Sequence, residues 1–175
     1  VVKAIRKVKP EANARFDALE RTYQYRITRK RNPFLEGLTW HYFRPLDVQT
    51  MNKAAALLLG EHDFECFSKV NTDVNHFLCN IKKAEWRERG TMLVFTITAN
   101  RYLRGMVRSI VGTLLDVGSG KTSMKEFQNI IRSRDRKKAG ANVPPQGLYL
   151  VKVKYPARIF MKESTANNPA TDKNN

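Results

Sequence analysis

The chain has 175 residues, 42% of them hydrophobic, which suits one domain with a sizeable core and argues against general disorder. It carries 32 Lys and Arg against 16 Asp and Glu, a formal net charge of +16. A surplus this large attracts polyanions, with nucleic acid as the first candidate and an anionic membrane surface as the second. The alternative is a solvated basic surface without a specific partner. No stretch is long and apolar enough to span a bilayer.

Two features bear on compartment and chain extent. Cys66 and Cys79 form no C-x-x-C pair, and with His76 they lack a fourth ligand and zinc spacing, so we predict no metal site. Two separate thiols favour a reducing cytosol and hence a cytoplasmic protein. The chain begins at Val1 without an initiator Met, which we interpret as a piece of a longer protein.

The first third of the chain predicts strands and one helix. The apolar content of Val1–Val8 is strand-like, and Leu19–Thr28 alternates between aromatic or aliphatic and polar side chains, which is typical of a strand. The Arg29–Arg31 run then leads into an Asn-Pro turn. Asp47 predicts the cap of a helix that runs to Leu59.

The rest of the chain predicts a hairpin, two helices and a final strand. Strands over Phe77–Trp86 and Leu93–Ala99 flank a turn, and three-four apolar spacing over Leu103–Val117 indicates a helix with one buried stripe. A capping box at Ser123–Glu126 predicts the next helix. The strand Leu148–Tyr155 follows two prolines. We therefore predict an α+β fold, a mainly antiparallel sheet with helices packed on one face.

Three groups of residues could carry function. Arg101, Arg104 and Arg108 lie three and four apart, so we expect them to stack along one side of the predicted helix. An arginine beside the buried stripe needs a carboxylate or phosphate acceptor, unless the row is simply solvated. Tyr23 and Tyr25 are either core side chains or rings on which bases stack.

The third group is the Pro144–Leu148 segment, which is either a loop-to-strand junction or a ligand contact. The motifs of serine hydrolases, zinc proteases and phosphate-binding loops are absent, and Gly118-Ser119-Gly120 lacks the context of a dinucleotide site. The residues by themselves therefore indicate a basic α+β domain that binds nucleic acid.

Four short sequence segments, taken in their order along the chain, resemble those of a known family. They read RTYQY at 21–25, LLGEHDFECF at 58–67, NRYLRGMVRSIVG at 100–112 and PPQGLYL at 144–150. Together they resemble the tRNA pseudouridine synthase A family over about residues 14–156. The third segment, with its Met-Val-Arg helix, is the most specific.

The resemblance implies an isomerase that converts uridine to pseudouridine in the anticodon arm of tRNA. It implies no cofactor, no metal, and a homodimer with tRNA crossing both subunits. By position, Tyr23 corresponds to the ring that stacks on the target uracil, Arg108 to the arginine that positions the essential aspartate, and Leu148 to an aliphatic wall of the pocket. We expect the remaining candidates to contact RNA: Arg21, Arg101 and Arg104.

The sequence departs from the family at the nucleophile. The family's aspartate lies in a Gly-Arg-Thr-Asp-Ala-Gly segment that is absent here, and neither Asp63 nor Asp116 matches it. Gly105 also stands where the family more often has histidine. We expect residues 1–156 to be the C-terminal lobe of a synthase, residues 157–175 to be a flexible polar tail, and the chain to be inactive by itself. The alternatives are a non-catalytic basic RNA-binding module and a structural basic protein.

Overall fold

A computed structural model describes residues 2, 4–69 and 74–161 of the chain. Within these residues the strands are β1 (Glu20–Thr28), β2 (Trp40–His41), β3 (Gly60–Asp63), β4 (Leu78–Arg89), β5 (Met92–Ala99) and β6 (Leu148–Lys154). The helices are α1 (Val48–Ala56), α2 (Met106–Gly118) and α3 (Met124–Ser133). All strand pairs are antiparallel except β1 with β2. The predicted α+β fold with a mainly antiparallel sheet is confirmed.

Strand β1 is central to the sheet, whose order is β2-β1-β5-β4-β3 with β6 also on β1. One edge of β1 pairs with β5 from Arg21 to Thr28. The other edge is shared, because β6 pairs with the part from Glu20 to Tyr25 and β2 pairs with Ile27 and Thr28. Strand β1 therefore pairs with segments from the first, middle and last thirds of the chain.

The pairing of β1 with β6 contains a bulge. Thr22 lies opposite Lys152 and Tyr23 lies opposite Leu150, so Val151 has no partner on β1. One extra residue changes which face of the sheet the following side chains occupy. As a result Leu148 lies opposite Tyr25, on the same face as that tyrosine.

The core lies between this face of the sheet and the helices. Tyr25, Ile27, Phe95 and Ile97 alternate along the two paired strands and are fully buried. Every residue of helix α2 is buried except Arg108 and Asp116, which are partly exposed. The helix is therefore covered on more than the single apolar face that the sequence predicted.

The second side of α2 is covered by residues 139–143. The amide of Gly140 donates to Oγ1 of Thr113 at 2.9 Å. Gly112 lies so close to this segment that a Cβ there would come within 1.9 Å of the carbonyl oxygen of Ala141. The helix is thus held between the sheet and this segment.

The two predicted helix caps are confirmed. Oδ1 of Asp47 accepts a hydrogen bond from the amide of Thr50 at 3.0 Å, and Ser123 and Glu126 form a complete capping box. Helix α1 ends at Ala56 rather than at Leu59, because the chain turns there to enter β3 at Gly60.

The predicted strand over Val1–Val8 was wrong in its described part, where the one strand contact is a bridge between Val8 and Phe160. A single bridge cannot extend because no neighbouring strand continues beside it. That bridge involves the first residues of the predicted tail, where Ile159 is also buried. Residues 162–175 lie outside the described residues, so the division into lobe and tail stays a prediction.

Candidate active site

Tyr23 is held by a second tyrosine. Its ring meets the ring of Tyr102 edge to face, with 5.1 Å between the centroids and 87° between the planes. The Tyr102 hydroxyl donates to the carbonyl oxygens of Arg21 at 3.1 Å and Ile97 at 3.0 Å. Burial raises the pKa of Tyr102 above its ordinary value, so the hydroxyl remains a neutral donor. Tyr102 was not among the residues singled out from the sequence, although it is the aromatic residue directly before the Leu-Arg-Gly of the third segment.

Tyr23 and Tyr102 line a cavity of about 750 Å³. Its lining also includes Arg15, Arg21 and Arg101 and contains no carboxylate side chain among the described residues. A cavity of this volume falls in the usual range for ligand sites. Ring faces beside unopposed guanidinium groups suit a planar ligand that carries negative charge.

The arginines of this cavity differ in what they bind. Nη1 of Arg21 donates to the carbonyl oxygens of Asn100 at 3.0 Å and Ala18 at 3.3 Å, and Nη2 contacts the carbonyl of Arg15. Arg21 therefore braces the cavity wall. Nη1 of Arg101 lies 3.0 Å from Nε2 of His76, also at the cavity.

The predicted row of three arginines along one helix was wrong. Gly105 is the N-cap of α2 and has a φ of 78°, a left-handed conformation that ends the preceding turn before the helix begins. Arg101 and Arg104 therefore precede the helix, and only Arg108 belongs to it. Arg104 is exposed in this turn, where its carbonyl accepts a hydrogen bond from the amide of Lys69 at 2.8 Å.

Arg108 is half-buried on α2 and lacks a carboxylate partner among the described residues. Its Nε donates to the carbonyl oxygen of Val143 at 2.5 Å, and its Nη1 and Nη2 form no hydrogen bond within the same residues. By contrast, the exposed Arg134 pairs with Asp63 at 3.2 Å. Arg108 is thus a partly enclosed cation with two free nitrogen atoms.

Arg108 lies close to Tyr25. The Tyr25 hydroxyl donates to the carbonyl oxygen of Pro144 at 2.7 Å, next along the chain to the carbonyl that Arg108 binds. Burial raises the pKa of Tyr25, and the charge of Arg108 partly offsets this. Tyr25 is fully buried and is therefore a core residue, whereas Tyr23 is only partly buried. Tyr23 and Tyr25 are two positions apart on the same face of β1, so their Cα atoms lie about 7 Å apart.

Leu148 joins this group from the opposite strand. It lies across from Tyr25, and Gly147 before it packs so tightly that a Cβ would come within 2.8 Å of the Tyr25 ring and of the Arg26 carbonyl. The structure thus brings Arg108 and Leu148 together around Tyr25. It brings Tyr23 together with Arg21 and Arg101 around the cavity, whose lining does not include Arg108 or Leu148.

The two thiols belong neither to the residues around Tyr25 nor to the lining of the cavity at Tyr23. Cys66 and Cys79 are buried and free, and burial raises their pKa to about 12 and about 11. Within the described part of the chain, no group of three or more His, Cys, Asp or Glu residues could hold a metal ion. No helix there is long and apolar enough to cross a membrane.

A family model described as tRNA pseudouridine synthase matches residues 54–156. The chain belongs to this family. The resemblance drawn from the four sequence segments is therefore confirmed. The range matched by the tRNA pseudouridine synthase model contains the candidate residues Arg101, Arg104, Arg108 and Leu148, whereas the candidate Tyr23 precedes it.

Curated relatives of the synthase family are similar over most of the chain. A protein of Porphyromonas gingivalis is 49% identical over 156 residues, which are 88% of this chain and 62% of the relative. A protein of Bacteroides fragilis is 50% identical over 155 residues, 88% of this chain and 62% of the relative. A protein of Geobacillus is 41% identical over 157 residues, which are 89% of this chain and 63% of the relative. Each is named tRNA pseudouridine synthase A. The chain spans about 62% of the length of the first of these relatives.

Proposed function

We propose that this chain forms the uracil-binding and aspartate-positioning part of a tRNA pseudouridine synthase that acts on the anticodon arm of tRNA. Support comes from the family match and from relatives that bear that name. The proposal includes a cytoplasmic homodimer and tRNA as substrate. The net charge of +16 suits a tRNA partner.

The observation that carries the proposal is the unpaired Arg108. A half-buried guanidinium without an anionic partner is unfavourable, and its planar pair of nitrogens matches the two oxygens of a carboxylate. Nη1 and Nη2 of Arg108 are both free for that contact within the described residues. We assign them to the aspartate of the family's Gly-Arg-Thr-Asp segment, which is not among the 175 residues.

The neighbouring residues would hold the substrate. Tyr23 would stack on the target uracil, a contact of about 1–3 kcal/mol per base, and Leu148 would form an aliphatic wall. Arg101 and Arg104 would hold the RNA backbone, with Arg21 bracing the wall beside them. The target base must leave its stack to reach such a site, at a cost of a few kcal/mol.

The chemistry is an isomerisation in which no atom is gained or lost. The glycosidic bond between the sugar carbon and N1 of uracil breaks, the uracil turns, and its C5 forms a carbon-carbon bond to the same sugar. C5 loses its proton and N1 gains one, so the atoms balance. Tyr23, Arg108 and Leu148 bind and orient in this scheme, and none of them is the nucleophile. The chain by itself should therefore form no pseudouridine.

The first test incubates the 175-residue chain with tRNA and assays for pseudouridine. We expect no turnover, and appreciable turnover would refute the missing nucleophile. The second test joins the chain to an aspartate-bearing segment of a relative and expects activity. A matched joined protein with asparagine in place of that aspartate should be inactive.

The joined protein also tests Arg108. Arg108→Lys keeps a positive charge but loses the two-nitrogen contact, so we expect a large loss of kcat with little change in KM for tRNA. Arg132→Lys on α3 is the matched control, because that arginine is exposed and has no ion pair within the described residues. Equal activity of the two variants would contradict the assignment of Arg108. A joined protein that binds tRNA but never turns it over would favour the RNA-binding module instead.

A further inference from the structure

A second surface of the chain exposes aromatic rings. Phe34 is 90% exposed and Phe43 is 75% exposed, and Leu38 between them is 52% exposed. The three side chains lie within ten residues of one another along the chain. We refer to residues 29–44 as the aromatic-basic segment.

This exposure belongs to a well-anchored segment. The amide of Phe34 donates to Oδ1 of Asn32 at 3.0 Å, which caps a short turn over Pro33–Leu35. The hydroxyls of Thr28 and Thr39 lie 3.3 Å apart in the interior, and the next residues form β2. The turn is thus fixed with Phe34 directed outward.

The aromatic-basic segment is also strongly cationic. It contains Arg29, Lys30, Arg31 and Arg44 against the single acid Glu36. All four cations are exposed, and none forms an ion pair or side-chain hydrogen bond within the described residues. Such cations are free to bind phosphate groups.

A polar cavity of about 540 Å³ opens within this segment. Its lining offers both donors and acceptors, as the edges of nucleic acid bases do: Arg31, Asn32, Glu36, Thr39, His41 and Gln146. Thr28 also lines it, five residues along β1 from Tyr23, a separation of about 17 Å. The cavity is therefore distinct from the one at Tyr23, yet close enough for one RNA molecule to reach both.

We propose that the aromatic-basic segment, with Gln146, is a second RNA-contacting surface on which unpaired bases stack against Phe34 and Phe43. Arg29 and Arg31 hold the adjoining phosphates. Aromatic faces, unpaired cations and a polar pocket together are the arrangement by which proteins bind single-stranded nucleic acid. The inference rests on the proposed function in one respect, the choice of RNA as ligand.

The stacking part is tested by fluorescence anisotropy with a labelled RNA hairpin corresponding to a tRNA anticodon arm. Phe34→Ala and Phe43→Ala should each weaken binding by the unaltered chain about tenfold. Leu59→Ala, an exposed apolar residue after α1, is the control and should leave affinity unchanged. Binding by the double phenylalanine variant within about twofold of the unaltered chain would overturn the proposal.

The phosphate part is tested by the salt dependence of the same binding. Arg29→Ala with Arg31→Ala should reduce the slope of log affinity against log salt by about 1.4, since each phosphate contact on a single strand contributes about 0.7. The phenylalanine variants should keep the slope of the unaltered chain. Lys125→Ala with Arg132→Ala on α3 removes the same charge from exposed positions and is the control. An equal reduction in that control would overturn the phosphate assignment.

Two further outcomes distinguish base stacking on Phe34 and Phe43 from binding at Tyr23 and from association between chains. If Tyr23→Ala weakens binding and the phenylalanine variants do not, the proposed function stands and the second surface falls. If the phenylalanine variants convert a dimer to a monomer in sedimentation while RNA affinity is unchanged, the surface is an interface between chains and the proposal is overturned. Circular dichroism of the variants at Phe34, Phe43, Arg29 and Arg31 should match the unaltered chain, because those side chains are exposed.

Discussion

The ring of Tyr102 lies edge-on against the ring of Tyr23, and the Tyr102 hydroxyl ties two backbone carbonyls of β1 and β5 together. One side chain thus joins the proposed uracil-stacking ring to the centre of the sheet. The stiffness of Tyr23 should follow from the packing and hydrogen bonds of Tyr102.

Tyr102→Phe should lower the free energy of unfolding by about 1 kcal/mol, because it removes a donor to two carbonyls while keeping the ring. Tyr102→Ala should cost more, up to about 3–5 kcal/mol, because it also removes a partly buried ring that packs against the core. Urea unfolding measures both. Tyr155→Phe is the control, since its hydroxyl donates to the carbonyl of Ala14 at an exposed site. An equal loss in Tyr155→Phe and Tyr102→Phe would contradict the assigned role.

Helix α2 offers a contrast between two buried positions. Gly112→Ala should destabilise the fold by about 1–3 kcal/mol or more, because the new Cβ would displace the carbonyl of Ala141 and the segment that binds Arg108. Ser109→Ala should leave stability unchanged or raise it, because the Ser109 hydroxyl is buried without a hydrogen-bond partner within the described residues. Urea midpoints compare the two variants directly. A larger loss for Ser109→Ala would show that the hydroxyl has a partner.

The buried thiols make stability depend on alkaline pH. Burial raises the pKa of Cys66 to about 12 and of Cys79 to about 11, above the ordinary thiol value of 9.0. Below pH 9 both states keep their protons and the full stability is present. As the pH rises further, only the unfolded thiols lose protons, so stability falls by about 1.4 kcal/mol per pH unit per thiol until the folded pKa is reached.

Urea unfolding at about pH 8 and about pH 10 measures this decline. The double variant Cys66→Ala with Cys79→Ala should show a smaller decline, although it is less stable at both pH values because of the cavities it leaves. The folded chain should also react slowly with thiol reagents near neutral pH. Rapid reaction of both thiols in the folded state would contradict their burial.

The capping box of α3 is a local device whose contribution can be isolated. Ser123→Ala removes the hydroxyl that accepts a hydrogen bond from the amide of Glu126, so we expect a loss of about 1 kcal/mol. The other half of the capping box is kept, because the backbone amide of residue 123 still donates to the Glu126 carboxylate. Thr122→Ala, one residue earlier and outside the cap, is the control. Thermal or urea unfolding that ranks the two variants equally would argue against the cap.

Elements whose cause is local could be predicted from the sequence. The alternation on β1, the β4–β5 hairpin and the caps at Asp47 and Ser123 depend on neighbouring residues alone. The short strands β2 and β3 could not be predicted, because Trp40–His41 and Gly60–Asp63 become strands only by pairing with distant segments.

The site divides in the same way. The sequence pointed to Arg108, Tyr23 and Leu148 through their resemblance to a family, and their roles stay predictions. The acceptor of Arg108 is the carbonyl of Val143, 35 residues away, which no spacing rule could indicate. The helix predicted from Leu103 begins only at Met106, because Gly105 adopts a left-handed conformation. Leu103 fits the helical spacing of apolar residues because it is buried beside the helix, although it does not belong to it.

The pairing of β6 with β1 sets a limit on how this region can evolve. Loss of the unpaired Val151 would remove the bulge and leave Leu148 opposite Tyr25. Adding or removing one residue between Leu148 and Leu150 would instead move Leu148 to the opposite face of the sheet, away from Tyr25. Between Leu148 and Leu150, the number of residues is therefore under stronger constraint than their chemical type.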